Sequence, residues 1–170
     1  MNPIIKAINF AEEAHCGQFR KNGTTPFIVH PLRVYSIIEN WYWESPSTGL
    51  NVKIAAVLHD VIEDTKYTKE DISAEFGDDV ANLVWQVTKE GHGKQGHKDY
   101  CAKLKLASED AVSIKYADIL DNIYDLDFKD TKFCNYFFNK VGDYLLVLPR
   151  WSYFTQEISK RLLAYGAFNE

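Results

Sequence analysis

Apolar side chains recur at three- and four-residue spacings along most of the chain, and no stretch alternates with the period of two that a strand would need. Ile4, Ile5, Ala7, Ile8, Ala11 and Ala14 form one such stripe, and Pro3 suits a first helical turn, which predicts a helix running to about Gly17. The segment GQFRKNGTTPF follows, with turn signals at Asn22-Gly23 and Thr25-Pro26. Pro31 opens a second helix, LRVYSIIENWYW, and ESPSTGLN is a loop whose Asn51 is placed to cap a third. After Asp64 the chain restarts at Thr68 to Asp71, which resembles a capping box. Gly77 should stop that short helix, with Asp78 or Asp79 capping the next. Lys89 to Lys98, KEGHGKQGHK, reads as a mobile loop, followed by a helix ending near Ala107. Ser108 caps EDAVSIKYADILDNIYDL, and two aromatic-rich helices parted near Pro149 complete the chain. The expected architecture is all-α: a single-domain helical bundle of about eight to ten helices over residues 1–170.

The stretch AAVLHDVIEDT, Ala55 to Thr65, stands out because it mixes core and charge. Its residues read as one continuous helix, with no Gly or Pro inside. At roughly 100° per residue His59, Asp60, Glu63 and Asp64 fall within an arc of about 140°. Ile54, Val57, Leu58, Val61 and Ile62 take the other side. Three carboxylates beside one imidazole repel one another, so this face needs either open solvent or a cation. Adjacent His and Asp can offer a nitrogen and an oxygen to one metal ion, with further ligands coming from elsewhere.

Composition narrows the setting. The 170 residues are 46% hydrophobic and 25% charged, ordinary for a globular domain able to bury a core. No apolar run approaches a membrane span, and MNPIIKAINFAEEAH lacks the features of a signal peptide. Cys16, Cys101 and Cys134 are odd in number and widely spaced, which fits reduced thiols in a cytoplasmic protein. A net charge of −5 argues against a general nucleic-acid binder and leaves a small anionic ligand open.

Four side chains are candidate ligands: His30 at a helix start, His59, Asp60, and Asp118 within KYADILDN. Two imidazoles and two carboxylates suit one Mn²⁺ or Fe²⁺ better than Ca²⁺, and Zn²⁺ fits as well. Each also has an ordinary reading: His30 as a turn residue, Asp118 as an exposed helix acid, and His59-Asp60 as part of a solvated face. Spacing alone leaves both readings standing.

Order and context add to spacing. AEEAHCGQFRKNGTTPFIVHP (residues 11–31), AAVLHDVIEDT (55–65), FGDDVANLVWQVT (76–88) and KYADILDN (115–122) occur in an order that resembles the HD-domain metal-dependent phosphohydrolases. Among these the chain is most similar to the RelA/SpoT-type hydrolase domain and the stand-alone small alarmone hydrolases. The resemblance implies that His30, His59, Asp60 and Asp118 bind one Mn²⁺. It makes Glu63 and Asp64 the acidic pair that handles the attacking water and the leaving group. It sets Arg20 and Lys21 beside the nucleotide and Asn122 near the ribose, and it leaves His15 as a buried, hydrogen-bonded structural residue. The implied substrate is guanosine tetra- or pentaphosphate, (p)ppGpp, losing its 3′-pyrophosphate to give GDP or GTP. The chain has no room for a synthetase half, so a protein of this kind would remove the alarmone without making it.

Two positions depart from the family pattern. Asp121 replaces the residue before Asn122, and Tyr124 stands where Arg is frequent, so the expectation is weaker polyphosphate binding. Lys89, Lys94 or Lys98 of the glycine-rich stretch are candidates to restore that charge, with His92 or His97 assisting. Alternative expectations are the same chemistry on another nucleotide (an adenine alarmone, NADPH or a deoxynucleotide) or a catalytically silent nucleotide-binding module. Trp41, Tyr42, Trp43, Phe133, Tyr136, Phe137, Phe138, Trp151, Tyr153 and Phe154 are expected in the core or on a homo-oligomer surface.

Overall fold

The computed structural model describes residues 2–41, 49–148 and 152–167. Tyr42, Trp43, Trp151 and the break expected at Pro149 lie outside the described residues, as do the side chains of Trp41, Tyr153 and Phe154. Among the described residues the chain is all-α: α1 (Pro3–Ala14), α2 (Val29–Trp41), α3 (Gly49–Leu58), α4 (Val61–Asp64), α5 (Lys69–Phe76), α6 (Asp78–Val87), α7 (Gly93–Leu104), α8 (Glu109–Tyr124), α9 (Thr131–Val147) and α10 (Ser152–Ala167). No helix is long and apolar enough to cross a membrane.

Two helices organise the rest. In α3 Val52 and the run from Ile54 to Leu58 are buried, so this helix is apolar nearly all round and sits at the centre. It packs against α1, α2, α6 and α8. The other is α8, buried along most of its length and packed on α2, α3, α6 and α10. Burying a side chain such as Leu58 contributes about 1.5–3 kcal/mol, so the ends of α3 and α8 are fixed by core packing. Functional residues at those ends inherit that rigidity.

The expected caps hold in three places. Thr68 and Asp71 make a capping box, Ser108 accepts from the Ala111 N–H, and Gly77, at φ 90°, ends α5. Four expectations change. Asn51 lies inside α3, because the helix already begins at Gly49. Asp78 and Asp79 occupy the first turn of α6, with Gly77 at the cap position. The first helix ends at Ala14, and His15 to Gly17 turn the chain away, with Gly17 at φ 78°. The glycine-rich stretch is mostly helix: α7 starts at Gly93. A Cβ at Gly96 would stand 2.6 Å from the Gly91 backbone carbon, so glycine there lets the start of α7 close onto the preceding loop.

Candidate metal centre and active-site cavity

The predicted continuous helix over residues 55–65 is broken. Residues 59 and 60 form a turn between α3 and the single turn α4, although no Gly or Pro marks the place. Two polar contacts bracket the break, one local and one from distant chain. His59 Nδ1 donates to the Ala56 carbonyl at 2.9 Å, and Gln18 Nε2 donates to the Asp64 carbonyl at 2.8 Å. Through it His59 is buried on the core side while Glu63 and Asp64 open to solvent.

His30 enters from the first turn of α2 and Asp118 from the middle of α8. His30 Nε2 lies 3.2 Å from His59 Nε2, 3.3 Å from Asp60 Oδ2 and 3.2 Å from Asp118 Oδ1. His59 Nε2 lies 3.2 Å from Asp60 Oδ2 and 3.8 Å from Asp118 Oδ1. Donors held about 2.1 Å from one ion stand about 3.0 Å apart at right angles and about 3.4 Å apart at tetrahedral angles. Four of the five separations fall in that range, and His59 to Asp118, at 3.8 Å, is the wider one. The ring tautomers agree. His59 Nδ1 faces a carbonyl and His30 Nδ1 faces Asp121 Oδ2 at 2.7 Å, so both Nδ1 atoms carry the hydrogen. Both Nε2 lone pairs then converge with two carboxylate oxygens on one point. His30, His59 and Asp60 could hold a metal ion, and Asp118 stands beside them.

The electrostatics of the protein alone point the same way. Burial works against charge on His30, but the carboxylates of Asp118, Asp121 and Asp60 outweigh it and raise the imidazole well above its usual pKa. His59 is raised too, against its burial, chiefly by Asp60. Burial would raise Asp60 and Asp118; His59 and His30 hold Asp60 well below the carboxylate range, and Lys115 leads in holding Asp118 down. Protons on the histidines supply the positive charge that these carboxylates demand.

A cavity of about 270 Å³ opens from this cluster. Glu63, Asp64, Arg20, Asn122, Lys89, Lys115, Lys140, Tyr100 and Tyr144 are among its lining residues. Surrounding protein raises Glu63, although the Lys89 N–H, 2.7 Å from its Oε2, works the other way. Asp64 is pushed up to about 7, first by its surroundings and then by the negative charges of Asp60 and Glu63. Solvent at the mouth tempers both shifts. Arg20 projects from a turn closed by the Arg20 N–H to Thr25 carbonyl bond and by Asn22. Its guanidinium bonds Asn122 Oδ1 and Asp125 Oδ2, both at 2.9 Å.

Several expected binding residues sit elsewhere. Lys21 is turned away from the cavity lining, with its ammonium over the Phe133 ring of α9. Lys94 is exposed in the first turn of α7 and, like Lys98 and His92, is not among the lining residues. His97 pairs with Asp143 at 2.8 Å. His15 is buried as expected and bonds Gln18 through Nδ1, but its Nε2 has no partner among the described residues. Asp121 and Tyr124, the two departures from the family pattern, stand outside the cavity wall. Neither is among its lining residues: Asp121 is buried behind His30, and Tyr124 meets Arg161 at 2.6 Å. Sequence reasoning missed Lys115, whose ammonium is 2.7 Å from Asp118 Oδ2, and Lys140 of α9. The i,i+3 spacing of Lys115 and Asp118 on one helix was the available signal for the first.

A family model described as HD domain matches residues 7–128. The chain belongs to the HD-domain family. Within that family it is 39% identical over 132 residues to the guanosine-3′,5′-bis(diphosphate) 3′-pyrophosphohydrolase MESH1 of Xenopus tropicalis, covering 72% of this chain and 69% of that one. A probable guanosine-3′,5′-bis(diphosphate) 3′-pyrophosphohydrolase of Mycoplasma pneumoniae is 32% identical over 139 residues, 74% of this chain but only 18% of that longer protein. The solved structure of a metazoan ortholog of SpoT that hydrolyses ppGpp superposes with a TM-score of 0.80 at 25% identity, over 98% of this chain and 97% of the other. An HD-domain centre of this kind implies a divalent metal, and the converging donor set fits one.

Proposed function

We propose that this chain is a (p)ppGpp 3′-pyrophosphohydrolase, using one Mn²⁺ to cleave the 3′-pyrophosphate and leave GDP or GTP. The observation that carries the reading is that the Glu63-Asp64 pair shares one cavity with His30, His59, Asp60 and Asp118 and with the cations Arg20, Lys89 and Lys140. Relatives over most of this chain carry names for that reaction.

His30, His59, Asp60 and Asp118 are the residues that would hold the ion. When bound, it would polarise a phosphate oxygen and lower the pKa of water. Glu63, oriented by the Lys89 N–H at its Oε2, accepts the proton of the attacking water. Asp64, which keeps a proton nearer to neutrality, donates it to the departing ribose 3′-oxygen. Water oxygen joins the proximal phosphorus, the P–O bond to the ribose breaks, and pyrophosphate leaves. Arg20, preorganised by Asn122 and Asp125, offers a planar cation for a purine face or a phosphate. Lys89 and Lys140 add charge for the phosphates.

The test is a nucleotide panel: Mn²⁺-loaded protein against ppGpp, pppGpp, adenine alarmones, NADPH and deoxynucleotides. Pyrophosphate release from ppGpp and pppGpp is expected. Survival of both while another nucleotide is cleaved would overturn the substrate, and calorimetric ppGpp binding without turnover would overturn the enzyme.

A further inference from the structure

Asp118 divides its carboxylate between two directions. Oδ1 faces the histidine cluster, 3.2 Å from His30 Nε2, while Oδ2 is 2.7 Å from the Lys115 ammonium. A carboxylate shared in this way is the bridging ligand of two-metal phosphoryl-transfer sites, whose ions stand about 3.5–4 Å apart. We infer that the Lys115 ammonium takes the place of a second cation beside Asp118 and so restricts the cavity to one divalent ion. This inference rests on the proposed metal site, since it concerns what stands next to it.

The ammonium is built in. Lys115 lies three residues before Asp118 on α8, and its side chain is only 14% exposed. The rings of Tyr100 and Tyr144 stand 5.3 Å and 5.2 Å from its Nζ, so aromatic faces as well as a carboxylate hold the charge. Tyr100 is itself fixed by its hydroxyl bond to the Val87 carbonyl. Oxygen ligands for another ion are near: Glu63 lines the same cavity as Lys115 and Asp118. A hard divalent ion needs only one or two carboxylates, with waters completing its shell. A neutral side chain at 115 would leave Asp118 Oδ2 and Glu63 free to recruit one. The consequence for the reaction is direct. With a tethered ammonium there, Glu63 stays out of metal coordination and keeps its lone pairs for proton transfer.

Wild type, Lys115→Met and Lys115→Arg are stripped with chelator and titrated with Mn²⁺. Bound metal is counted by mass spectrometry after gel filtration, and frozen samples are read by electron paramagnetic resonance. Wild type and Lys115→Arg should hold one ion with a six-line spectrum, even at high Mn²⁺. Lys115→Met should take up a second, with the spectrum broadened by spin exchange between neighbouring ions. Lys115→Met holding one ion while keeping its helical circular dichroism would overturn the inference, as would a second ion beside Asp118 in wild type or Lys115→Arg. If Lys115→Met does not fold, Lys115→Gln is read by the same criteria, and the wild-type result at excess Mn²⁺ stands by itself. Wild type binding no ion would instead sink the proposed metal site.

Discussion

Asp121 gives the sharpest energetic prediction, because its carboxylate does one job for the centre. It is 2% exposed, with Oδ2 2.7 Å from His30 Nδ1 and Oδ1 3.8 Å from Arg33 Nη1. In Asp121→Asn the amide oxygen can still accept the Nδ1 hydrogen, so the ring keeps its tautomer, but the negative charge that makes Nε2 a stronger donor is gone. Losing such a carboxylate behind a ligand histidine costs about 10–100-fold in metal affinity, or about 1.4–2.7 kcal/mol. A second effect has the opposite sign. Asp121 also helps raise His30, and a proton on His30 competes with metal. Below the raised His30 value, removing Asp121 relieves that competition and hides part of the loss, whereas the competition fades as pH climbs above it. Calorimetric Mn²⁺ titration of chelator-stripped protein should therefore show a larger wild-type to mutant ratio at the higher pH. An Asp121→Asn affinity within threefold of wild type at the higher pH would refute the role given to the His30–Asp121 contact.

Glu63→Gln should retain Mn²⁺ with near wild-type affinity but lower kcat by about 10²-fold or more, the usual scale of a general base; loss of metal, or a normal rate, would show that Glu63 has another role. Lys140→Ala should raise KM for ppGpp several-fold with little change in kcat, since Lys140 lines the cavity without touching the four donors; steady-state kinetics read this, and an unchanged KM would remove Lys140 from substrate binding. The stability of metal-free protein should fall as pH rises. His30 has a folded pKa above its unfolded value, so its contribution is fully present below about 6.5 and is lost as pH passes the raised folded value, and His59 and Asp64 carry the same sign. Thermal melts from pH 6 to 9 should show Tm dropping for stripped protein and much less for Mn²⁺-loaded protein. A pH-independent Tm in the stripped form would contradict the proton-filled centre.

Elements whose boundaries carry their own chemistry are legible in the amino-acid order alone. Thr68 and Asp71, Ser108 and Gly77 act on backbone groups within a few residues, so their patterns mean the same thing in any fold. The four donor residues are legible as candidates, and packing of α3 on α2 and α8 is what brings them together. The turn at His59 and Asp60 is not legible, because its apolar positions continue a helical stripe and the Gln18 contact that holds the Asp64 carbonyl just beyond it comes from distant chain. The role of Asp121 is hidden for a related reason. A carboxylate on α8 faces substrate or supports a ligand according to the rotation of the helix, and burial against His30 decides that. The glycines of residues 91–96 signal a loop, whereas their small size lets a helix start against its own preceding backbone.

A crystal structure of the Mn²⁺-soaked protein, with data collected at the manganese absorption edge, probes the convergence on which everything above depends. The anomalous map should hold a single strong peak about 2.1–2.2 Å from His30 Nε2, His59 Nε2 and carboxylate oxygens of Asp60 and Asp118, with Glu63 and Asp64 outside its coordination shell. No peak between those donors, or an ion ligated by Glu63 in place of Asp118, would contradict it.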